Sequence, residues 1–235
     1  MRRINTFLPG REPSQRETTM PEKPMHATYQ EYYQRVATSN AFSSYCEAVF
    51  GIDLSQDGFA DKKQLDFMIT TLQISAHDVC LDVGCGNGRI ANYVNVKTKA
   101  RVDGIDYSQN AIASAHKIGN EYVYCRIEDI NRMQLVPKRY SVIYLIDTIY
   151  FSENYCQTLQ ILYDALHPAG RIGIFYSEMI FKNAKQLRKI PGRETQLARE
   201  IDATRFDCEV YDLTEPHYRL MKRKRCASIQ YERAL

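Results

Sequence analysis

Residues 79–89 read Val-Cys-Leu-Asp-Val-Gly-Cys-Gly-Asn-Gly-Arg, and the fold is decided there. The first five residues are apolar apart from Asp82, the pattern of a strand buried on both faces. Glycines then stand at alternate positions, 84, 86 and 88, and Ile90, Ala91 and Val94 follow with helical spacing. A strand, a glycine turn and a helix in that order open a nucleotide-binding α/β domain. Glycine suits such a turn because it takes left-handed backbone angles and puts no Cβ in the path of a ligand.

Downstream the same alternation continues. Residues 101–106 form a short strand ending in an acid, with Ser108 as N-cap of a helix through Lys117. Strands are predicted over 122–127, 140–146 and 171–177, with a helix over 154–166 that His167-Pro168-Ala169-Gly170 stops. The crossover 128–139 reads as irregular. This succession predicts an α/β fold: a Rossmann-like, doubly wound, mostly parallel sheet with helices on both faces. Beyond it a helix is expected over 194–203 and a strand over 206–211. Residues 226–231 read as either a last short strand or part of a helix.

Upstream, residues 61–72 form an amphipathic helix with Leu65, Met68, Ile69 and Leu72 inward. Aromatic residues crowd the stretch before it, and Tyr29, Tyr32 and Tyr33 share a helical face with Val36. Residues 1–25 lack periodicity and are rich in Pro, Arg, Glu, Thr and Ser. The expected organisation is a disordered leader (1–25), an N-terminal helical cap (26–75) and the α/β domain (76–235).

The 235 residues carry a formal charge of +3, too small to call for a polyanionic partner. The run Lys222–Arg225 reads as a solvated surface. The seven cysteines include no Cys-x-x-Cys and no zinc-ligand spacing, so no metal is expected; they read as small apolar residues in a reducing compartment. No stretch approaches the ~20 apolar residues of a membrane span, no apolar segment follows Arg2 and Arg3, and Glu12 and Glu17 speak against a transit peptide. A cytoplasmic protein is expected.

A dinucleotide fold wants Gly-x-Gly-x-x-Gly, and Arg89 stands at the third glycine position; there is no P-loop motif either. Asp82-Val-Gly-Cys-Gly-Asn-Gly88 instead resembles the Asp/Glu-x-Gly-x-Gly-x-Gly signature of class I S-adenosylmethionine-dependent methyltransferases. The resemblance runs on through Gly104-Ile-Asp106, Arg126-Ile-Glu-Asp129 and the segment Leu166–Ile172. It implies S-adenosyl-L-methionine as cofactor, with S-adenosyl-L-homocysteine as product. The cofactor is a sulfonium cation with an ammonium and no phosphate, so carboxylates rather than a phosphate cradle should hold it. Asp82 is expected to face the methionine end through water or backbone. Gly84, Cys85 and Gly86 let the backbone approach. Asp106 accepts the ribose hydroxyls, Tyr107 covers the adenine, and Asp129 accepts from its amino group beside Ile130. Glu128 and Ile146 are assigned to the same pocket. Each acid has a second reading as a helix or turn cap.

Methyl transfer is an in-line displacement that asks the protein mainly for alignment and dryness. The segment Asp147-Thr-Ile-Tyr-Phe151 lies where the methyl donor end should be. It lacks the Asn/Asp-Pro-Pro-Tyr of the family's exocyclic-amine enzymes and the Pro-Cys of its RNA cytosine-5 enzymes. A small-molecule acceptor is therefore expected under the aromatic cap, with Tyr29, Asp147 and Tyr150 as candidate catalytic residues, Tyr33 beside them, and His26 and Glu178 as further candidate bases. An RNA or protein acceptor, or cofactor binding without catalysis, are the alternatives. The family usually ends in an antiparallel strand pair. Here either 226–231 is the last strand or the pair is incomplete, which would expose a sheet edge and favour a homodimer.

Overall fold

The computed structural model describes residues 3–8, 29, 31–33, 35, 39–55, 58–177 and 194–231. Its centre is a seven-stranded sheet. In chain order the strands are β1 (Arg3–Leu8), β2 (Val79–Val83), β3 (Arg101–Asp106), β4 (Val123–Ile127), β5 (Tyr140–Ile146), β6 (Leu166–Phe175) and β7 (Asp207–Asp212). The spatial order is β4-β3-β2-β5-β6-β1-β7, and every pairing is parallel. The helices are α1 (Asn40–Phe50), α2 (Lys62–Thr71), α3 (Arg89–Thr98), α4 (Gln109–His116), α5 (Tyr155–Ala165), α6 (Gln196–Asp202) and α7 (Thr214–Tyr231). Residues 29, 31–33 and 35 are also helical.

The local causes can be named. Ser39, Asp61, Ser108, Asn154 and Thr195 each accept a backbone N–H at the start of the helix that follows. Asp61 and Gln64 form a reciprocal capping box at α2. The strand order reverses between β2 and β5, so their C-terminal ends leave a crevice at the switch point, where ligands of open α/β sheets bind. Leu81, Val83, Ile143, Leu145, Ile172 and Ile174 are sealed in the core around it.

One expectation about the ends is corrected, and one left open between strand and helix is decided. Residues 3–8, assigned above to a disordered leader, form β1 between β6 and β7. Burial of Ile4, fully enclosed, and two ladders of parallel pairing hold them there. Residues 9–28 lie outside the described residues. At the other end, residues 226–231 are not a strand; they finish the 18-residue helix α7. Pro216 sits in its first turn, where proline costs little, and Leu220 and Ala227 pack on Tyr45, Cys46, Val49 and Phe50 of α1. Among the described residues, the sheet beyond β6 continues by parallel pairing through β1 to β7. The stop at 167–170 is also modified: β6 begins at Leu166, and its register jumps from Tyr140↔Leu166 to Val142↔Arg171, so those residues bulge out of the ladder.

Candidate active site

The glycine turn is held from below by β3. Backbone N–H groups of Gly84 and Cys85 donate to the Ile105 carbonyl at 2.7 and 3.0 Å. Asp106, the last residue of β3, accepts from Gly86 N at 2.9 Å on one carboxylate oxygen and from Ser108 N at 2.8 Å on the other. Burial raises the Asp106 pKa, and these two N–H groups oppose the rise. The loop's glycines are required by shape. Gly84 and Gly86 have φ of 79° and 53°, and a Cβ on them would run into Thr148 and the Tyr33 hydroxyl respectively.

Above this turn opens a cavity of about 160 Å³. Nine of the ten expected cofactor residues line it: Gly84, Cys85, Gly86, Asp106, Tyr107, Glu128, Asp129, Ile130 and Ile146. Asp82 does not. It is buried level with Gly104 and Tyr144 of the flanking strands, and the next residue, Val83, lines the cavity. The Asp82 Oδ2 and the Tyr144 hydroxyl are both buried with no hydrogen-bond partner. Burial and then the Asp106 charge push the Asp82 pKa up to about 8; the nearby Tyr144 hydroxyl opposes this without closing a bond.

The two acids that follow β4 are tied locally. Glu128 accepts from Arg126 Nε at 3.1 Å and from Gln134 N at 2.9 Å. Asp129 accepts from Asn131 N and Nδ2 through Oδ1 alone. The capping role foreseen for such acids is therefore present at Asp129, and it leaves Oδ2 outside those bonds.

Tyr29, Asp147 and Tyr150 also line the cavity. Asp147 follows β5 with φ of 53°, a left-handed angle that Asp tolerates better than most residues, and its Oδ2 accepts from Phe59 N at 2.6 Å. The Tyr150 hydroxyl accepts the Ser177 N–H, and its ring stacks on Tyr176 at 5.2 Å. Burial, then the Asp147 charge, raises the Tyr150 pKa well above its ordinary value. Tyr29 meets Phe151 edge-on at 5.8 Å. Tyr33 is half-buried with its hydroxyl against Gly86; burial and then Asp106 push its pKa far up. His26 and Glu178 lie outside the described residues.

Phe59 and Ser55 were missed as lining residues, while Thr148 belongs to the segment 147–151 expected at this end. Residues 58–61 read only as a turn before a helix. The Asp61 capping box fixes where α2 starts, so the residues before it overhang the cavity, and that box was the available signal. α7 braces this overhang. His217 packs on the Phe59 ring at 5.0 Å, Lys224 lies over it at 5.3 Å, and Arg223 pairs with Asp61 at 2.5 Å. Burial, then Lys224, lowers the His217 pKa to about 4.

Residues 74–215 match the model of a protein family described as a methyltransferase domain. The chain belongs to that family. Its glycine turn, acid-ended strands and parallel sheet make it a class I S-adenosylmethionine-dependent methyltransferase domain. Among solved structures, this methyltransferase resembles phosphoethanolamine N-methyltransferase 2 of Haemonchus contortus in complex with phosphomonomethylethanolamine and S-adenosylhomocysteine. The identity is 18%, with a TM-score of 0.69, over 87% of this chain and 51% of that one. The same Haemonchus enzyme in complex with S-adenosyl-L-methionine matches at 20% identity and a TM-score of 0.51, over 62% and 35%. The first four solved chains matched are covered over 47% to 52% of their length, so this chain spans about half of each. At these identities the likeness concerns the fold.

The residues present fit the cofactor of this class. The cradle over Gly84 and Gly86 exists only without Cβ atoms, and Asp106 stands at the end of the adjacent strand. Each Asp106 oxygen accepts one backbone N–H and has a second lone pair for a ribose hydroxyl.

Proposed function

We propose that this methyltransferase transfers a methyl group to a small-molecule acceptor enclosed beneath its N-terminal aromatic cap. The observation that carries this reading is the roof: Tyr29, Tyr32, Tyr33 and Phe59 complete a cavity whose floor is the glycine turn. An aromatic roof over the glycine turn suits a small acceptor better than a strand of RNA or protein.

S-adenosylmethionine, when bound, supplies an electrophilic methyl on a sulfonium. Gly84 and Gly86 would lie along its methionine and ribose portions. Asp106 would accept the ribose diol, Tyr107 would cover the adenine, and Asp129 Oδ2 would accept the adenine amino group beside Ile130. Tyr33 closes over the turn and keeps water out. Asp147 and Tyr150 orient the acceptor where β5 ends, and Tyr29 forms the facing wall. Alignment and exclusion of water are then the protein's main contribution.

A macromolecular acceptor is less well supported. An RNA substrate predicts a basic face running from residues 222–225 to the cleft. Arg223 instead pairs with Asp61 and the Val49 carbonyl, and Lys224 lies over Phe50 and Phe59. Among the described residues no helix is long and apolar enough to cross a membrane. A cytoplasmic setting is part of the proposal, supported by seven cysteines that all remain free thiols. The test is transfer of labelled methyl into fractionated cell extract. Label is expected in the small-metabolite fraction; label confined to RNA or protein would overturn the reading.

A further inference from the structure

We infer that the acceptor is a small amine carrying no phosphate, gripped between the Asp147 carboxylate and the aromatic faces around it; this deepens, and rests on, the small-molecule reading above.

The end of the cavity where β5 stops is built for a cation. Asp147 is turned into it by its left-handed backbone instead of continuing along the strand. The carboxylate is seated from outside by the Phe59 N–H at 2.6 Å, and it lies so close to Gly58 that a Cβ there would meet Oδ2. Around it stand Phe59, Tyr150, Phe151 and Tyr29. Tyr150 is fixed by Ser177 and by its stack on Tyr176, and Tyr29 and Phe151 brace each other edge to face. Fixed aromatic faces attract ammonium groups by their quadrupole, more strongly once water is excluded. A carboxylate in the same enclosed space adds direct attraction.

The rest of the wall has the same sign. Among the described residues the lining includes four carboxylates, Asp106, Glu128, Asp129 and Asp147, and no Lys, Arg or His. Of these, Asp147 stands at the acceptor end, where a phosphate ester, carboxylate or thiolate would meet its charge and an amine would pair with it. The product is also favoured. The amine first gives its proton to Asp147 and onward to solvent. Its lone pair then forms the new N–C bond, the electron pair of the broken C–S bond stays on sulfur, and the positive charge passes to nitrogen within the same cage.

The test is thermal denaturation of the full chain loaded with S-adenosylhomocysteine. The added probes are choline, phosphocholine and 3,3-dimethylbutan-1-ol, the uncharged carbon isostere of choline. Choline should raise Tm beyond the value with S-adenosylhomocysteine alone, while the isostere and phosphocholine give less than a third of that rise. Asp147→Asn should abolish the choline shift and keep the S-adenosylhomocysteine shift. Asn takes the same backbone angle and still offers an oxygen to Phe59 N–H, so the variant removes the charge and little else. A labelled-methyl assay on amines, thiols, phenols and carboxylates should place the label on nitrogen. No choline shift, equal shifts from choline and its isostere, a larger shift from phosphocholine, an undiminished shift in Asp147→Asn, or label on oxygen or sulfur would each overturn the inference. Those outcomes leave small-molecule methyl transfer standing if S-adenosylhomocysteine still stabilises the protein; loss of that stabilisation removes the underlying reading itself.

Discussion

Asp106 does two jobs with one carboxylate. It fixes the glycine turn through Gly86 N and starts the next helix region through Ser108 N, and it presents the same oxygens to the cavity. Asp106→Ala should therefore weaken S-adenosylhomocysteine binding by roughly 1.5–3 kcal/mol, the worth of charge-assisted hydrogen bonds, as read by calorimetry; unchanged affinity would remove the role. Asp82, one loop away, behaves differently. With its pKa near 8 in the fold and near 3.8 when unfolded, the folded chain holds a proton that the unfolded chain has lost. Stability from this group is full below about pH 4 and declines as pH rises towards 8, by at most ~1.4 kcal/mol per pH unit. Asp82→Asn should erase that decline, so urea titrations of variant and parent should diverge progressively from pH 4 to pH 8. A constant difference across the range would show that Asp82 is ionised in the fold. These two acids also mark how far the site was legible. Both end strands in the motif order, and sequence alone gave each a cofactor role. Asp106 lines the cavity and Asp82 does not, and that difference is set by how the strand ends pack together, which the order of the motifs does not carry.

At the scale of elements, the strands and helices between residues 78 and 177 were readable because each carries its own punctuation: a buried apolar run, then a glycine or a capping Ser or Asn, then helical spacing. β1 carries none of this. Its Asn5 and Thr6 are polar, yet both are buried and their side-chain oxygens Oδ1 and Oγ1 lack hydrogen-bond partners. A local reading rejects such a strand, since only partners 150 or more residues away make it one. Its placement is testable. Ile4 is completely enclosed, so Ile4→Ala should cost about 2–4 kcal/mol in urea unfolding, against a few tenths for an unanchored terminus. α7 was ambiguous for a related reason. Its composition is basic on most sides, and the decisive contacts, Leu220 and Ala227 on α1 and Arg223 on Asp61, are tertiary. Through His217 and Phe59 this helix reaches the active-site roof, so a change in α7 is felt at Asp147.

At the scale of the whole molecule, ligand binding and folding are linked. The cofactor cleft joins the sheet's switch point to the N-terminal tyrosines, so S-adenosylhomocysteine at a hundredfold excess over its Kd should stabilise the protein by ~2.7 kcal/mol. For a domain of this size that is a rise in Tm of roughly 5–10 °C by calorimetry, and no rise at saturation would count against the assigned cleft. The parallel insertion of β1 has a consequence of another kind. Residue 3 pairs with residue 171 on one side and with residue 207 on the other. On a ribosome adding about 5–20 residues per second, the first strand waits on the order of ten to forty seconds for both neighbours to emerge. β1 can meet β6 only after residue 171 is made and β7 only after residue 207, and until β1 docks the free side of β6 is an edge open to any other extended peptide.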